Sequence, residues 1–483
     1  MSLMPGLAKI QLLTTDSMAK RSIGTLLNFL EGQPPSTGAS SGRSDFSLGE
    51  VSLKPALPAN SPQSLSLLDP VDSLTGMDMA ATPAPGLLGL VAGDRVTGVA
   101  AGSRGERAPE VFTYIITFAA DGLPLADRAR EVLGSVRPDA LFSNLGMLTV
   151  RLTAAQADAL ARRPGVVGVE QDRAVRLALP EAGEAGSLSS QSGAISTMAG
   201  TEILDWGVKQ VWGGNDLRGS FSIPQSFSPR VYVLDTGISG STKDLNYDTS
   251  ISRDFTGSKR SGFYDRNGHG THVAGTIAAY ANATGVVGVA PGARVVSLKV
   301  LNDQGSGTIS GIINAINYMM GVAKPGDVAN LSLGAGLSIT LNNAIGTAAD
   351  KGILFALAAG NETTDVDGKS PASAGNVSKG IFTVSAHSSS LRNASFTNFD
   401  NFTGADLDNV AYAAPGVNIV SLKIDGTTTP LSGTSMASPH VAGILALGGI
   451  NQFLYGTNDG VFATKFGSET TDPLAIWSGV MSA

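Results

Sequence analysis

Hydrophobic and polar positions divide the chain into four stretches of different character. From residue 1 to 108 no helical or strand period is sustained. The run Gln33-Pro34-Pro35-Ser36-Thr37-Gly38-Ala39-Ser40-Ser41-Gly42 is a linker by composition, and Ser, Pro, Gly and Ala dominate the stretch up to Pro109. Such a segment buries too little apolar surface to offset its ordering entropy. Residues 1–108 are therefore expected to form a poorly ordered extension. It is either a dispensable leader or a secretion or docking signal.

Residues 111–178 carry a compact α+β pattern. Val111–Phe118 is a β-branched and aromatic run, hence a strand. Leu125–Leu133 has helical spacing, and Leu141–Leu152 alternates as one or two strands. Thr153 is placed to cap a helix over Ala154–Arg163 that Pro164-Gly165 ends. Val166–Glu170 and Ala174–Leu177 are short strands. The order is close to β-α-β-β-α-β, a ferredoxin-like unit, and it carries no catalytic constellation.

Residues 179–201 are Gly/Ser/Ala-rich and read as a second linker. From 202 to 483 apolar strand runs alternate with helical ones. Val231–Leu234, Val295–Val300, Val328–Leu333 and Ile353–Ala359 are the clearest strands. This alternation predicts an α/β domain with a parallel sheet and helices on both faces.

Composition narrows the chemistry. The chain has 483 residues, long enough for two or more domains, and no Cys, which excludes disulfides, thiolate metal sites and a cysteine nucleophile. With 33 Lys+Arg against 40 Asp+Glu the net charge is −7, so nothing favours nucleic acid or an anionic membrane. Only 4 His are available to any reaction that needs imidazole. Pro5, Lys9 and Asp16 interrupt each apolar stretch near the N-terminus, so no signal peptide is recognisable. No segment reaches the 18 or so apolar residues of a membrane span.

Three islands carry candidate chemistry. In Val231-Tyr232-Val233-Leu234-Asp235-Thr236-Gly237 a buried strand ends on an Asp and turns at a glycine. Taken alone this reads first as a capping or turn Asp. In Asn267-Gly268-His269-Gly270-Thr271-His272-Val273-Ala274-Gly275-Thr276 two His stand where a helix begins. A neutral imidazole is the natural base for a hydroxyl nucleophile near pH 7. His269, flanked by glycines, suits that role, while His272 reads as a buried, hydrogen-bonded partner. The pair at i and i+3 also admits a zinc reading, but no general-base Glu or acidic cluster accompanies it. In Gly433-Thr434-Ser435-Met436-Ala437-Ser438-Pro439-His440-Val441-Ala442-Gly443 a Ser opens an apolar helix. Its neighbours are the unsatisfied N–H groups and positive dipole end of that helix. Read alone, it is as readily a cap.

Together the motifs VLDTG, NGHGTHVAGT and GTSMASPHVAG resemble those of the subtilisin-like serine proteases over about 202–450. The module 111–178 resembles their inhibitory propeptide, and Lys369-Ser370-Pro371-Ala372-Ser373 is similar to the proteinase K branch. The resemblance implies a subtilisin-like parallel sheet preceded by a ferredoxin-like propeptide domain. It implies a serine endopeptidase made as a self-processing zymogen, with Ser435 as nucleophile, His269 as base and Asp235 orienting it. Asn361, in the stretch Ala358-Ala359-Gly360-Asn361, and the Ser435 N–H would form the oxyanion hole. Gly305, Ser306 and Gly307, with Ser332, Leu333 and Gly334, would pair with substrate backbone.

The rival is a catalytically silent binding module of the same fold. The implied partners are protein or peptide substrates and the chain's own propeptide in cis. Nucleic acid and membranes are not expected, and the chain should act as a monomer. The chemistry needs no cofactor. A structural calcium is not supported where Ala411 replaces the branch's Asp. Asp365 and Asp367 read as loop carboxylates or as a preference for basic residues. The resemblance favours an extracellular or cell-envelope setting.

Overall fold

The computed structural model describes residues 109–177, 202–218, 229–258, 262–400, 409–448, 462–463 and 472–475, all within one compact unit spanning 83–483. The extension 1–108 and the linker 179–201 lie outside the described residues.

The N-terminal module contains β1 (Val111–Phe118), α1 (Leu125–Leu133), β2 (Ala140–Phe142), β3 (Met147–Thr153), α2 (Ala154–Ala161) and β4 (Val166–Gln171). Its antiparallel sheet has the order β2-β3-β1-β4, the ferredoxin-like arrangement expected from the pattern. Thr153 caps α2 as foreseen: its hydroxyl accepts from Gln156 N at 3.3 Å, and the Gln156 side chain accepts from Thr153 N at 2.9 Å. Alternation along β1 divides its side chains between two cores. Tyr114, Ile116 and Phe118 pack under α1 and α2, while Ile115 joins Phe142, Leu145 and Met147 in a core shared with the larger domain. Ala174–Leu177, here β5, is not part of this sheet.

The larger domain continues with α3 (Trp206–Val211), β6 (Arg230–Asp235), β7 (Asn246–Tyr247), β8 (Arg253–Asp254), α4 (His269–Ala278) and β9 (Arg294–Lys299). Next come β10 (Ser306–Thr308), α5 (Ile309–Val322), β11 (Val328–Leu331), β12 (Leu333–Gly336), α6 (Ile339–Ala349) and β13 (Leu354–Ala358). The run ends with β14 (Lys369–Ser370), β15 (Ile381–His387), β16 (Val410–Pro415), β17 (Ile419–Leu422), β18 (Thr428–Leu431) and α7 (Thr434–Gly448). The expected single strand Val328–Leu333 is interrupted at Ser332. β11 stays in the main sheet, and β12 turns out to join another.

The main sheet runs β16-β15-β13-β11-β6-β9-β7, and its pairings are parallel. Alternate residues face opposite ways. Val231 and Val233 meet the core under α4 and α7; Tyr232 and Leu234 meet the core under α5 and α6. Helices therefore cover both faces, as the continuous apolar strand runs predicted. After β6 the chain builds β9 on one side and β11 on the other. This reversal opens a crevice at the carboxyl ends of the strands.

Candidate active site

The three islands converge in that crevice. Asp235 is the last residue of β6 and fully buried; His269 is the first residue of α4; Ser435 lies in the first turn of α7. The imidazole Nδ1 of His269 stands 2.8 Å from Asp235 Oδ1 and 3.0 Å from Oδ2. Asp235 Oδ1 also accepts from Thr236 N at 2.6 Å. A carboxylate on Nδ1 fixes the tautomer and leaves Nε2 to accept a proton. That Nε2 is buried with no hydrogen-bond partner among the described residues. Gly270 makes this approach possible, since a Cβ there would lie 2.1 Å from the Gly237 carbonyl oxygen.

Ser435 Oγ donates to the Ser332 carbonyl at 3.1 Å, and Ser332 Oγ donates back to the Ser435 carbonyl at 2.9 Å. Asn330 Nδ2 donates to Ser332 Oγ at 2.9 Å, and Ser438 Oγ donates to Asn330 Oδ1 at 2.8 Å. This buried chain ties the end of β11 to α7. Asn361 follows β13, and its Oδ1 accepts from Thr434 N at 2.8 Å. Locking the amide oxygen on the start of α7 fixes which end of the side chain carries the N–H donors.

The remaining His are buried, with ring nitrogens at backbone carbonyls. His272 is fully buried, its Nε2 at 3.0 Å from the Ile419 carbonyl and 3.1 Å from that of Thr429. Burial, then the charge of His269, pushes its pKa down to about 4. It points into the β17–β18 hairpin while His269 bonds Asp235, so the two rings do not form a zinc pair. His440 is likewise buried and pushed down to about 3 by burial. His387 packs edge-on to Trp206.

The expected substrate edges are occupied. β5 is sandwiched antiparallel between β10 and β12. Arg176 pairs with Ser306 and Gly334, Val175 with Gly307, and Leu177 with Leu333; Leu177 N donates to the Gly305 carbonyl at 3.1 Å. Ser332, by contrast, bonds Ser435. The place on these edges is taken by residues 174–177, whose side chains suit it. Val175 is wholly buried in the larger domain's core, and Leu177 packs where Gly305 has no Cβ, while Ala174 and Arg176 face outward.

Carboxylates anchor the module to two helix N-termini. Asp172 accepts from Ser310 N at 2.9 Å and Ser310 Oγ at 2.6 Å, at the start of α5. Glu170 accepts from Thr340 N at 3.1 Å, at the start of α6. Burial opposes ionisation of Glu170, but hydrogen bonds from Thr340, Arg173 and Ser338 outweigh it and hold the carboxyl below its ordinary range. Neither residue was singled out in the sequence, because an acidic residue beside a strand looks like any solvated charge.

The larger domain also holds a cavity and a group of carboxylates. A cavity of about 350 Å³ lies against His269, lined by Gly268, Lys423, Ile424, Thr429 and Leu431 among others. Asp365 and Asp367 bond within their own region: Asp365 Oδ1 accepts from Asp367 N at 3.0 Å, and Asp367 Oδ1 accepts from Asn409 Nδ2 at 2.9 Å. With Asp400 they can bring one oxygen each within 4.8 Å of one another. Ala411, on β16, offers no side-chain donor.

Residues 228–450 match the Subtilase family. Proteinase R from Parengyodontium album is 33% identical over 341 residues, covering 69% of this chain and 78% of that protein. The subtilisin-like serine protease AsES from Sarocladium strictum is 41% identical over 228 residues. The match takes in 46% of this chain and spans only 54% of AsES. A solved cold-adapted subtilisin-like serine proteinase is 35% identical, with a TM-score of 0.41, covering 50% of this chain and 83% of that one.

Proposed function

This chain belongs to the subtilase family of serine endopeptidases, and on that premise we propose that it hydrolyses peptide bonds through Ser435, His269 and Asp235 and is made as a self-processing zymogen. The observation that carries the reading is the Asp235–His269 contact with the imidazole Nε2 left open, in the crevice that also receives Ser435.

In the reaction Ser435 Oγ attacks the substrate carbonyl carbon as His269 Nε2 takes the hydroxyl proton. Asp235 stabilises the resulting imidazolium without itself being protonated. The oxyanion receives hydrogen bonds from Asn361 Nδ2 and the Ser435 N–H. The C–N bond then breaks, and the imidazolium gives its proton to the leaving amine. Water, deprotonated by the same imidazole, attacks the acyl ester, and Ser435 recovers its proton. The Ser435 hydroxyl leaves Ser332 for His269 by rotation about its Cα–Cβ bond.

Gly305–Gly307 and Ser332–Gly334 bind substrate as an added strand, so main-chain hydrogen bonds supply affinity and side-chain pockets supply selectivity. The cavity beside His269 receives the leaving side of the substrate. Residues 111–178 act as inhibitor and folding template. The seating of β5 on both edges, beside Ser435, supports this, as do the caps that Asp172 and Glu170 place on α5 and α6. No metal enters the chemistry. An organophosphorus or sulfonyl reagent should label the active species at Ser435 and abolish turnover. Label on another residue, or turnover that survives full labelling, would overturn the assignment.

A further inference from the structure

Asp265 lies in none of the three motifs, yet it sits between the two that carry Asp235 and His269. It is 4% exposed. Its Oδ1 accepts from Thr236 Oγ1 at 2.9 Å, Asn267 N at 2.8 Å and Gly268 N at 3.0 Å. Its Oδ2 accepts from Thr271 N at 3.0 Å and Thr271 Oγ1 at 2.6 Å. Both oxygens therefore face donors alone. A buried carboxylate is tolerated when its charge is met by hydrogen bonds in this way.

These bonds join two segments. Asn267, Gly268 and Thr271 belong to the loop and first turn that present His269; Thr236 follows Asp235. Thr236 is held from three sides. Its N–H donates to Asp235 Oδ1 at 2.6 Å, its hydroxyl donates to Asp265 and accepts from Gly270 N at 3.0 Å, and its carbonyl accepts from buried Lys299 Nζ at 2.5 Å. A path of hydrogen bonds thus runs from the Asp235 carboxylate through Thr236 to Asp265 and back to the helix that begins with His269.

We propose that Asp265 is a positioning residue that sets the separation and orientation of Asp235 and His269. The proposal rests on reading these two with Ser435 as the catalytic residues. Asp265→Asn keeps the shape but must turn an NH₂ group against at least one backbone N–H, since Oδ1 faces Asn267 N and Gly268 N and Oδ2 faces Thr271 N, none of which can accept. The two segments then part by a fraction of an ångström. A misplacement of that order costs about 10- to 100-fold in turnover.

The test uses two variants, Asp265→Asn and Thr236→Val, the second removing the link to Asp265 while leaving the Asn267, Gly268 and Thr271 bonds intact. Each is made in the full chain and, for spectroscopy, also in a Ser435→Ala background. The expected result is a fall in kcat of about 10- to 100-fold for Asp265→Asn and about 3- to 10-fold for Thr236→Val, with KM for a short peptide nearly unchanged. The downfield proton resonance of His269 Nδ1–H should move or broaden in both variants. That resonance needs no turnover, so it tests the positioning even if Ser435 is not the nucleophile. If Asp265→Asn does not fold, Thr236→Val decides. Loss of thermal stability with unchanged kcat and an unmoved resonance would make Asp265 a helix cap only and overturn the proposal.

Discussion

Ser435 Oγ donates to the carbonyl oxygen of Ser332 at 3.1 Å, and Leu333, the next residue, pairs with Leu177 of the strand that fills the cleft. The hydroxyl proposed as nucleophile is thus held at the end of the edge that aligns the bound segment. If the antiparallel register of Leu177 with Leu333 continued one residue further, position 178 would face Ser332. Self-processing is therefore expected between Ala178 and Leu179. N-terminal sequencing and intact mass of the active species should find Leu179 first, and Ser435→Ala should leave the precursor uncut. A primary cut elsewhere would refute the register argument, whereas an uncut wild type would refute self-processing itself.

His269 and His272 should separate cleanly. His269→Ala should reduce turnover by several orders of magnitude with little change in unfolding temperature, because Asp235 would lose the base it orients. His272→Ala should chiefly destabilise, since its ring fills a buried site and reaches the Ile419 and Thr429 carbonyls. A loss of about 2–4 kcal/mol is expected. A well-folded His272→Ala enzyme without turnover would reverse the two assignments.

Asn361→Ala should lower kcat by roughly 10²–10³ with little change in KM, a magnitude known for oxyanion-hole donors in this family. The Asn361 oxygen is committed to Thr434 N, which aims the amide nitrogen away from α7's first N–H. Steady-state kinetics on a chromogenic peptide decides. A large rise in KM at constant kcat would make Asn361 a ground-state contact.

Glu170→Ala together with Asp172→Ala, in the full chain, should shorten the lag before activity appears. Each carboxylate caps a helix of the larger domain, and a charged cap contributes about 1 kcal/mol. The pair should weaken retention of the cleaved module about 10- to 100-fold, and more so at low salt. An unchanged lag would show that β5 and the Ile115–Phe142 core contact hold the module without them.

Acid stability has two opposed parts. His272 and His440 stay neutral when folded, with pKa values of about 4 and about 3. The unfolded chain binds more protons below about pH 6.5, so their contribution is lost as pH falls. Asp205 caps α3 through Gly207 N at 2.7 Å and accepts from Val420 N at 3.0 Å, and burial raises its pKa to about 6. Its contribution runs the other way, favouring the fold as pH falls through about 6. Asp205→Asn, in a Ser435→Ala background, should lose stability between pH 6 and 4.5 more steeply than its parent. The difference should approach about 1.4 kcal/mol per pH unit, one proton's worth. Urea unfolding at several pH values measures it, and parallel curves would refute it.

The local signals that were legible in sequence are those that depend on neighbours along the chain. Strand runs such as Val231–Leu234, the Thr153 cap and the glycines around His269 act over a few residues, so the elements and three motif islands could be read directly. The split of Val328–Leu333 at Ser332 could not, because its apolar pattern is continuous and only the Ser435 carbonyl and β5 make Ser332 leave the sheet. Nor could β5's place in the cleft: Ala174–Leu177 is an ordinary strand pattern, and its partners Ser306–Thr308 and Leu333–Gly334 lie more than a hundred residues away. Asp265 shows the same division. An Asp two residues before Asn267-Gly268 predicts a turn, but its bond to Thr236 exists only because β6 and α4 meet at the carboxyl end of the sheet. Sequence alone singled out the side chains proposed to carry the chemistry. Tertiary packing decided which of them are held together, since a hydrogen bond between distant segments depends on where the sheet and helices bring them.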